Sequence, residues 1–328
     1  PFRGEVSIPG GTAETDLRAV LFSANGEDLL AYQPIEHKPV EALPAPVKPP
    51  PKPADIGTVE ELYLTGLRIE QIHNPRINPD DYYREALRRD PGDTRSNIAL
   101  GIRCNKRGHR EEAEAHLRTA IRRLAADYTR PRDTEAYYQL GLALRAGGRI
   151  EDAREDLYRA TWDQALRAAA YHQLAELSCR QGRYAQALEE INRSIASNAP
   201  DTRARNIKAM ILRRLGRPAD ARATAGSVLA EDPLDFFAAN EQGLSERALR
   251  LDAEAAATLG ALHTAMRGEV QSFLELACDY AACGAWDEAI EVLQRPVDAK
   301  TPFASTYPEL HYWLGYLHEC RGDREAAR

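Results

Sequence analysis

No apolar run in this chain approaches the roughly 20 residues that a membrane-spanning helix needs, so none of its helices is expected to cross a bilayer. The five cysteines, Cys104, Cys179, Cys278, Cys283 and Cys320, are odd in number, scattered, and contain no C-x-x-C pair. That excludes a paired-cysteine metal ribbon and argues for reduced structural thiols in a reducing, cytoplasmic compartment. Also missing are a phosphate-binding loop, a G-x-G-x-x-G turn, an H-E-x-x-H helix and a nucleophile elbow. Catalytic, metal and cofactor-binding residues are therefore expected to be none. Lysine is scarce beside arginine, a bias that a GC-rich genome explains better than local recognition does. The formal net charge of −7 argues against a nucleic-acid partner, which calls for a positive field.

What the chain does have is a glycine that returns at one spacing. Gly148, Gly182 and Gly216 are 34 residues apart, and Gly284 follows at twice that distance, with Arg250 where one more would fall. Gly108 and Gly322 extend the series across short insertions. If this glycine is numbered position 15 of a repeat, position 20 is always alanine: Ala113, Ala153, Ala187, Ala221, Ala255 and Ala289. Position 8 is always small, from Gly101 and Gly141 to Ala277, and position 24 is mostly leucine, as in Leu117, Leu157, Leu259 and Leu293. Positions 4, 7, 8 and 11 fall on one face of a first helix, and 20, 24 and 27 on one face of a second. Small residues at 8 and 20 let the two backbones approach, and glycine at 15 ends the first helix in a left-handed conformation. Pro91 and Pro233 stop second helices.

On these residues the chain resembles the tetratricopeptide-repeat superfamily. The expected fold is all-α, an α-α superhelix of about seven repeats over residues 58–328, with a short N-terminal β-hairpin and a proline-rich linker. Regular repeats start near Arg95, Glu135, Ala169, Arg203, Phe237 and Gln271. An irregular repeat precedes them, carrying Gly66, and a partial one follows from Leu314. The joints Asp127–Arg132 and Lys300–Thr306 carry proline and are expected to be extended loops. Gln242 and Glu246 occupy normally apolar sites in the fifth repeat. A chain that starts at Pro1 and ends early in a repeat is expected to be a segment of a longer protein.

Residues 1–33 hold two short apolar runs, Leu17–Ser23 and Asp28–Tyr32, around Asn25-Gly26, a strong hairpin signal. A lone hairpin is marginal in water, so it is expected to be the tail of an upstream β domain. Residues 34–57 form the linker, with eight prolines between Pro34 and Pro53. Hairpin, linker and repeats together resemble bacterial uncharacterised proteins in which a mutarotase-like β-sandwich precedes the array. That resemblance implies a carbohydrate-related activity in the β-sandwich and none in the repeats.

Two constellations invite chemistry. His311 and His318 share a helix face near Cys320, but three ligands without a carboxylate partner make an incomplete metal site, and both histidines sit at packing positions. Asp80 is read as a helix cap, and Trp286 as the aromatic that follows a turn glycine. The remaining candidate is the groove. In the superfamily it resembles, first-helix positions 2, 5, 9, 12 and 13 line the inner surface. Here those positions include Tyr138, Arg145, His172, Arg180, Arg203, Asn206, Arg213, Asn240 and Arg247, with Arg95, Asn105 and Lys106. Arg145, Arg213 and Arg247 share position 12 and are expected to form a basic ladder suited to an acidic peptide. The expected function is a non-catalytic scaffold for a protein or peptide partner. The alternative is a structural or oligomerising arm of a carbohydrate-active enzyme, in contact with an upstream β-sandwich or a second copy.

Overall fold

A computed structural model describes residues 4–36, 48–127, 129–298, 307–323 and 325–327. The chain divides into two compact units, Pro1–Pro50 and Pro51–Arg328. In the first, strands β1 (Ala19–Phe22) and β2 (Asp28–Tyr32) pair antiparallel with Leu21 opposite Leu30, and the register shifts between Leu21 and Phe22. The reversal is closed by Ser23, whose N–H donates to Glu27 O at 2.8 Å, and by Gly26 at φ +83°. Leu21, Phe22, Leu29, Leu30 and Tyr32 are all exposed.

Among the described residues, the regular elements of the second unit are all helices. Its helices are α1 (Val59–Gln71), α2 (Asp80–Arg89), α3 (Thr94–Arg107), α4 (Arg110–Leu124), α5 (Glu135–Ala146), α6 (Ile150–Ala160), α7 (Arg167–Arg180) and α8 (Tyr184–Ser197). They continue as α9 (Thr202–Arg214), α10 (Pro218–Glu231), α11 (Phe236–Ala248), α12 (Asp252–Met266), α13 (Val270–Ala282), α14 (Trp286–Asp298) and α15 (Pro308–Arg321). Odd-numbered helices through α13 are first helices of their repeats and even-numbered ones are second helices. Of the expected linker, residues 37–47 lie outside the described residues, as do residues 299–306 of the second long joint. Residues 51–57 belong to the helical unit: Pro53–Asp55 make a single 3-10 turn, Tyr82 Oη donates to Pro51 O at 2.9 Å and Arg89 to Ile56 O at 2.6 Å.

The glycine series ends first helices as its spacing implies. At Gly148, with φ +77°, the Gly148 N–H donates to Arg145 O and the next N–H, of Arg149, reaches back to Leu144 O at 2.9 Å. This satisfies carbonyls that the helix end would orphan. The same backward bond recurs after α3, α7, α9, α11, α13 and α15. Arg250 takes the glycine's place at φ +63° and still makes the turn, so the fifth repeat keeps its register. Small residues at position 8 have a specific neighbour, the position-24 leucine. A Cβ on Gly101 would lie 2.6 Å from Leu117 Cγ, on Gly141 2.7 Å from Leu157 Cγ, and on Gly243 2.7 Å from Leu259 Cγ.

Three of the joints between repeats share a second device. Asp93, Asp201 and Asp235 cap α3, α9 and α11, each accepting from the backbone N–H three residues on at 2.8 to 3.1 Å. Between α12 and α13 no such cap occurs. Arg267 at φ +53° and Gly268 at φ +71° turn the chain instead. The geometry that follows is different: α5 packs on α4, α7 on α6, α9 on α8 and α11 on α10, but α13 does not stack on α12 in this way.

Candidate functional site

The first-helix residues at positions 2, 5, 9, 12 and 13 form the inner wall, and the wall has two unlike halves. The half built by α1, α3 and α5 is open. Three neighbouring cavities of about 700, 450 and 700 Å³ run along it, sharing Ile102 and Lys106, then Arg110, Leu142 and Ala146. Ile98 and Ile102 contribute apolar floor at positions 5 and 9 of α3, and Leu142 does so at position 9 of α5. Arg95 stands at one end, 4.8 Å above the Tyr63 ring and 3.3 Å from Glu60. Lys106 faces Glu70 at 3.8 Å, and Asn105 is spent on the backbone, donating to Gln139 O at 2.9 Å. The far end is bordered by Arg145, Arg180 and Tyr316.

The half built by α7, α9 and α11 is covered by α13 and α14. Arg203 on α9 meets Asp279 on α13 at 2.8 Å. Phe237 on α11 stacks on Tyr280 with ring centroids 4.4 Å apart. Asn240 donates to Tyr280 Oη, which donates in turn to Glu241, both at 2.8 Å. Arg145 reaches Ala282 O at 3.1 Å. A Cβ on Gly284 would lie 3.0 Å from Arg180 Cα, so only glycine lets the α13–α14 turn come this close. Cys179 and Cys283, 104 residues apart in sequence, are buried in one apolar cluster with Ile207, Met210 and Phe237.

This changes what the position-12 ladder does. Arg213 is bidentate to Glu241 at 2.8 and 2.9 Å and bonds Glu288 of α14 at 2.8 Å, while Arg214 also holds Glu288. Arg145 is paired with Glu176 and Gln173, and His172 Nε2 lies 3.2 Å from the other Glu176 oxygen. Arg247, half exposed, pairs with Glu291 at 3.2 Å. Asn206 donates both amide bonds to Asp235, at 2.8 and 2.9 Å. Tyr138 packs beside the Leu140–Leu144 cluster, where burial pushes its hydroxyl pKa up and the Glu176 charge adds to the effect. The expected open basic ladder is thus an internally neutralised seam, because each guanidinium has a carboxylate of the chain within reach. Of the nine groove candidates, Arg145 and Arg180 border the open half. His172 is shut in with Glu176, and Arg203, Asn206, Arg213, Asn240 and Arg247 belong to the seam.

The seam carboxylates show the electrostatics. Burial works to raise Glu176, but the His172 hydrogen bond and the Arg145 charge hold it down to about 2. Glu288 and Glu291 are lowered against their own desolvation by Arg213 and Arg295 respectively. Burial would lower Arg213, and the Glu241 carboxylate raises it instead. Contact with the Cys179 thiol, then burial, push the Cys283 thiol well up, which keeps it protonated and unreactive.

Sequence reasoning missed the partners Glu241, Tyr280 and Glu288. The visible signal was acid at packed positions: Glu241 and Glu246 inside a first helix and Glu288 inside a second. The other signal was Arg267-Gly268 where the two preceding joints carry a capping aspartate, Asp201 and Asp235. Two further readings are corrected. Asp80 opens α2 but does not cap it. Its buried carboxylate is clamped by Arg103 and Arg107, whose hydrogen bonds outweigh burial and keep its pKa low. His311 is exposed and is not a packing residue; α15 buries Leu310, Leu314 and Leu317. Tyr137 is buried beneath Trp162 and Arg159. Among the described residues no group of three or more His, Cys, Asp or Glu could hold a metal ion.

Residues 106–170 and 172–236 match the sequence model described as tetratricopeptide repeat. Among solved structures, a tetratricopeptide repeat protein from Parabacteroides merdae is 13% identical, over 82% of this chain and 98% of that one, with a TM-score of 0.55. The pilF protein of Pseudomonas aeruginosa is 19% identical, over 66% of this chain and 94% of that one, also with a TM-score of 0.55. These likenesses concern the fold.

Proposed function

The chain belongs to the tetratricopeptide-repeat family, and from that premise we propose that it is a non-catalytic scaffold that holds a protein partner by an extended segment. The open half of the inner wall supports this reading. An apolar floor of Ile98, Ile102 and Leu142 runs between first helices, with Arg95, Lys106 and Arg110 along it. Apolar side chains of a partner would seat on that floor, and acidic ones would pair along the rim. The seam residues Arg203, Asn206, Arg213, Asn240 and Arg247 join the binding surface only where α13 and α14 leave the wall.

The test is affinity capture with three baits: the unchanged chain, Ile102→Asp/Leu142→Asp, and Arg247→Glu. A partner kept by the unchanged chain and by Arg247→Glu, but lost with the double change, is the expected result. A partner retained by all three contradicts the groove.

A second reading is favoured by the hairpin, whose apolar side chains are exposed on both strands as if prepared for a larger sheet. Under it the repeats are a structural arm of a carbohydrate-active enzyme. Hairpin deletion would then abolish binding to a β-domain partner and leave groove binding intact.

A further inference from the structure

The far end of the open groove differs chemically from the rest. Its cavity, about 700 Å³, is walled by the ends of α5 and α7, the Gly148–Ile150 turn, and Tyr316 of α15. Arg110, Arg145 and Arg180 all line it, with Gln173 and Gln181, and no carboxylate does. Arg145 is neutralised from behind by Glu176. Arg110 and Arg180 have no carboxylate within ion-pair distance among the described residues, although the chain carries more acid than base. Beside the turn, Glu151 is engaged by Gln181 Nε2 at 2.9 Å and Arg183 at 3.9 Å, and Glu114 is held by Arg149. Arg180 is not adrift: its guanidinium stacks 5.4 Å over the Trp286 ring. Helix α6 begins at Ile150 without a side-chain cap and points its N-terminal dipole end at the same space.

Holding the Arg110 and Arg180 guanidinium groups around one cavity costs repulsion that no carboxylate lining it offsets. A bound anion would offset it, and planar guanidinium forks match the oxygens of phosphate and carboxylate groups. The volume is that of a small-molecule site. We propose that this cavity binds a small oligoanion bearing phosphate groups or several carboxylates, with Arg110 and Arg180 as its principal contacts. The inference differs from the peptide reading in its ligand: Arg110 and Leu142 border both sites, but the apolar floor at Ile98 and Ile102 plays no part in it.

Trp286 beneath Arg180 provides the reporter. The full chain would be titrated with pyrophosphate and with citrate against sodium chloride of equal ionic strength, following tryptophan emission and thermal midpoint. Hexaglutamate would be a third arm. Saturable binding of either small anion is expected, weakened about tenfold or more by Arg110→Gln and by Arg180→Gln. Arg95→Gln, at the opposite end of the groove, should bind as the unchanged chain does. In Trp286→Phe the emission change should vanish while the thermal shift on binding persists. The relative affinities for pyrophosphate and citrate distinguish a phosphate from a carboxylate ligand. No saturable response to either anion up to about 10 mM, or a response unaltered in the Arg110→Gln/Arg180→Gln double variant, would overturn the proposal. A response to hexaglutamate alone would also overturn it, and would give the cavity to the acidic peptide of the groove reading.

Discussion

At the residue scale, identical amino acids do opposite work according to what lies within 3 Å. Gly141 in α5 has no room: a Cβ there would sit 2.7 Å from Leu157 Cγ and 3.3 Å from Ala153 O. Gly226 in α10 has room, its nearest contact being Gln242 Oε1 at 3.9 Å. Replacing a helical glycine by alanine gains about 1 kcal/mol in propensity, while overpacking costs about 1–3 kcal/mol. Gly226→Ala is therefore expected to raise the free energy of unfolding in urea by about 0.5–1 kcal/mol, and Gly141→Ala to lower it by about 1–2 kcal/mol. A gain from both would mean that the position-8 glycines are not there to admit the leucine.

Titration gives a second case at this scale. Burial pushes the Asp156 carboxyl up to about 6, against the lowering pull of Arg159 and Arg118. Its folded pKa lies above the ordinary 3.8, so the folded state binds more protons between these values and stability falls as pH rises through that window. Asp156→Asn should stabilise the protein at pH 7 and lose that advantage as pH falls toward 3.8. Glu176 has the opposite sign. Its pairing is fully present above the ordinary 4.5 and is lost as pH falls toward about 2. Thermal midpoints of the two proteins at successive pH values check this; an Asp156→Asn advantage that grows on acidification would contradict it.

At the element scale, the decisive feature is the pair α13–α14 lying on the inner wall. Removing one member of a buried, hydrogen-bonded ion pair leaves the other charge stranded and costs about 3–5 kcal/mol. An exposed pair is worth about 0–1 kcal/mol. Arg213→Met should therefore be strongly destabilising, because Glu241 is fully buried and Glu288 nearly so. Arg247→Ala, at a half-exposed pair, should be almost silent. Comparable losses from the two would show that the seam is not organised around Arg213. The individual helices were legible because their signals are local: a left-handed glycine, and a small residue where two helices approach. The covering of α7, α9 and α11 was not. It depends on contacts between residues 40 to 137 positions apart, as at Asn240–Tyr280 and Arg145–Ala282. A repeat register describes only neighbouring repeats.

At the scale of the helical unit, one wall serves two purposes. Positions that share a register number, such as Ile98 and Asn206 at position 5, end in different surroundings. The first floors an open cavity; the second is buried at the seam. A register number alone therefore does not divide the wall. Charge composition misled for the same reason, since the counter-charges of Arg203, Arg213 and Arg214 arrive from α13 and α14 across 74 to 76 residues.

Thiol accessibility along the wall tests this division most directly. With Cys278 and Cys320 changed to serine, a thiol would be introduced by Ile102→Cys in one protein and by Asn206→Cys in another. Reaction with a maleimide would be timed under native conditions. The Ile102→Cys thiol should react rapidly, and the Asn206→Cys thiol roughly a hundredfold or more slowly, until denaturant opens the seam. Equal rates under native conditions would mean that α13 and α14 do not cover the wall, and the whole inner face would then be open to a partner.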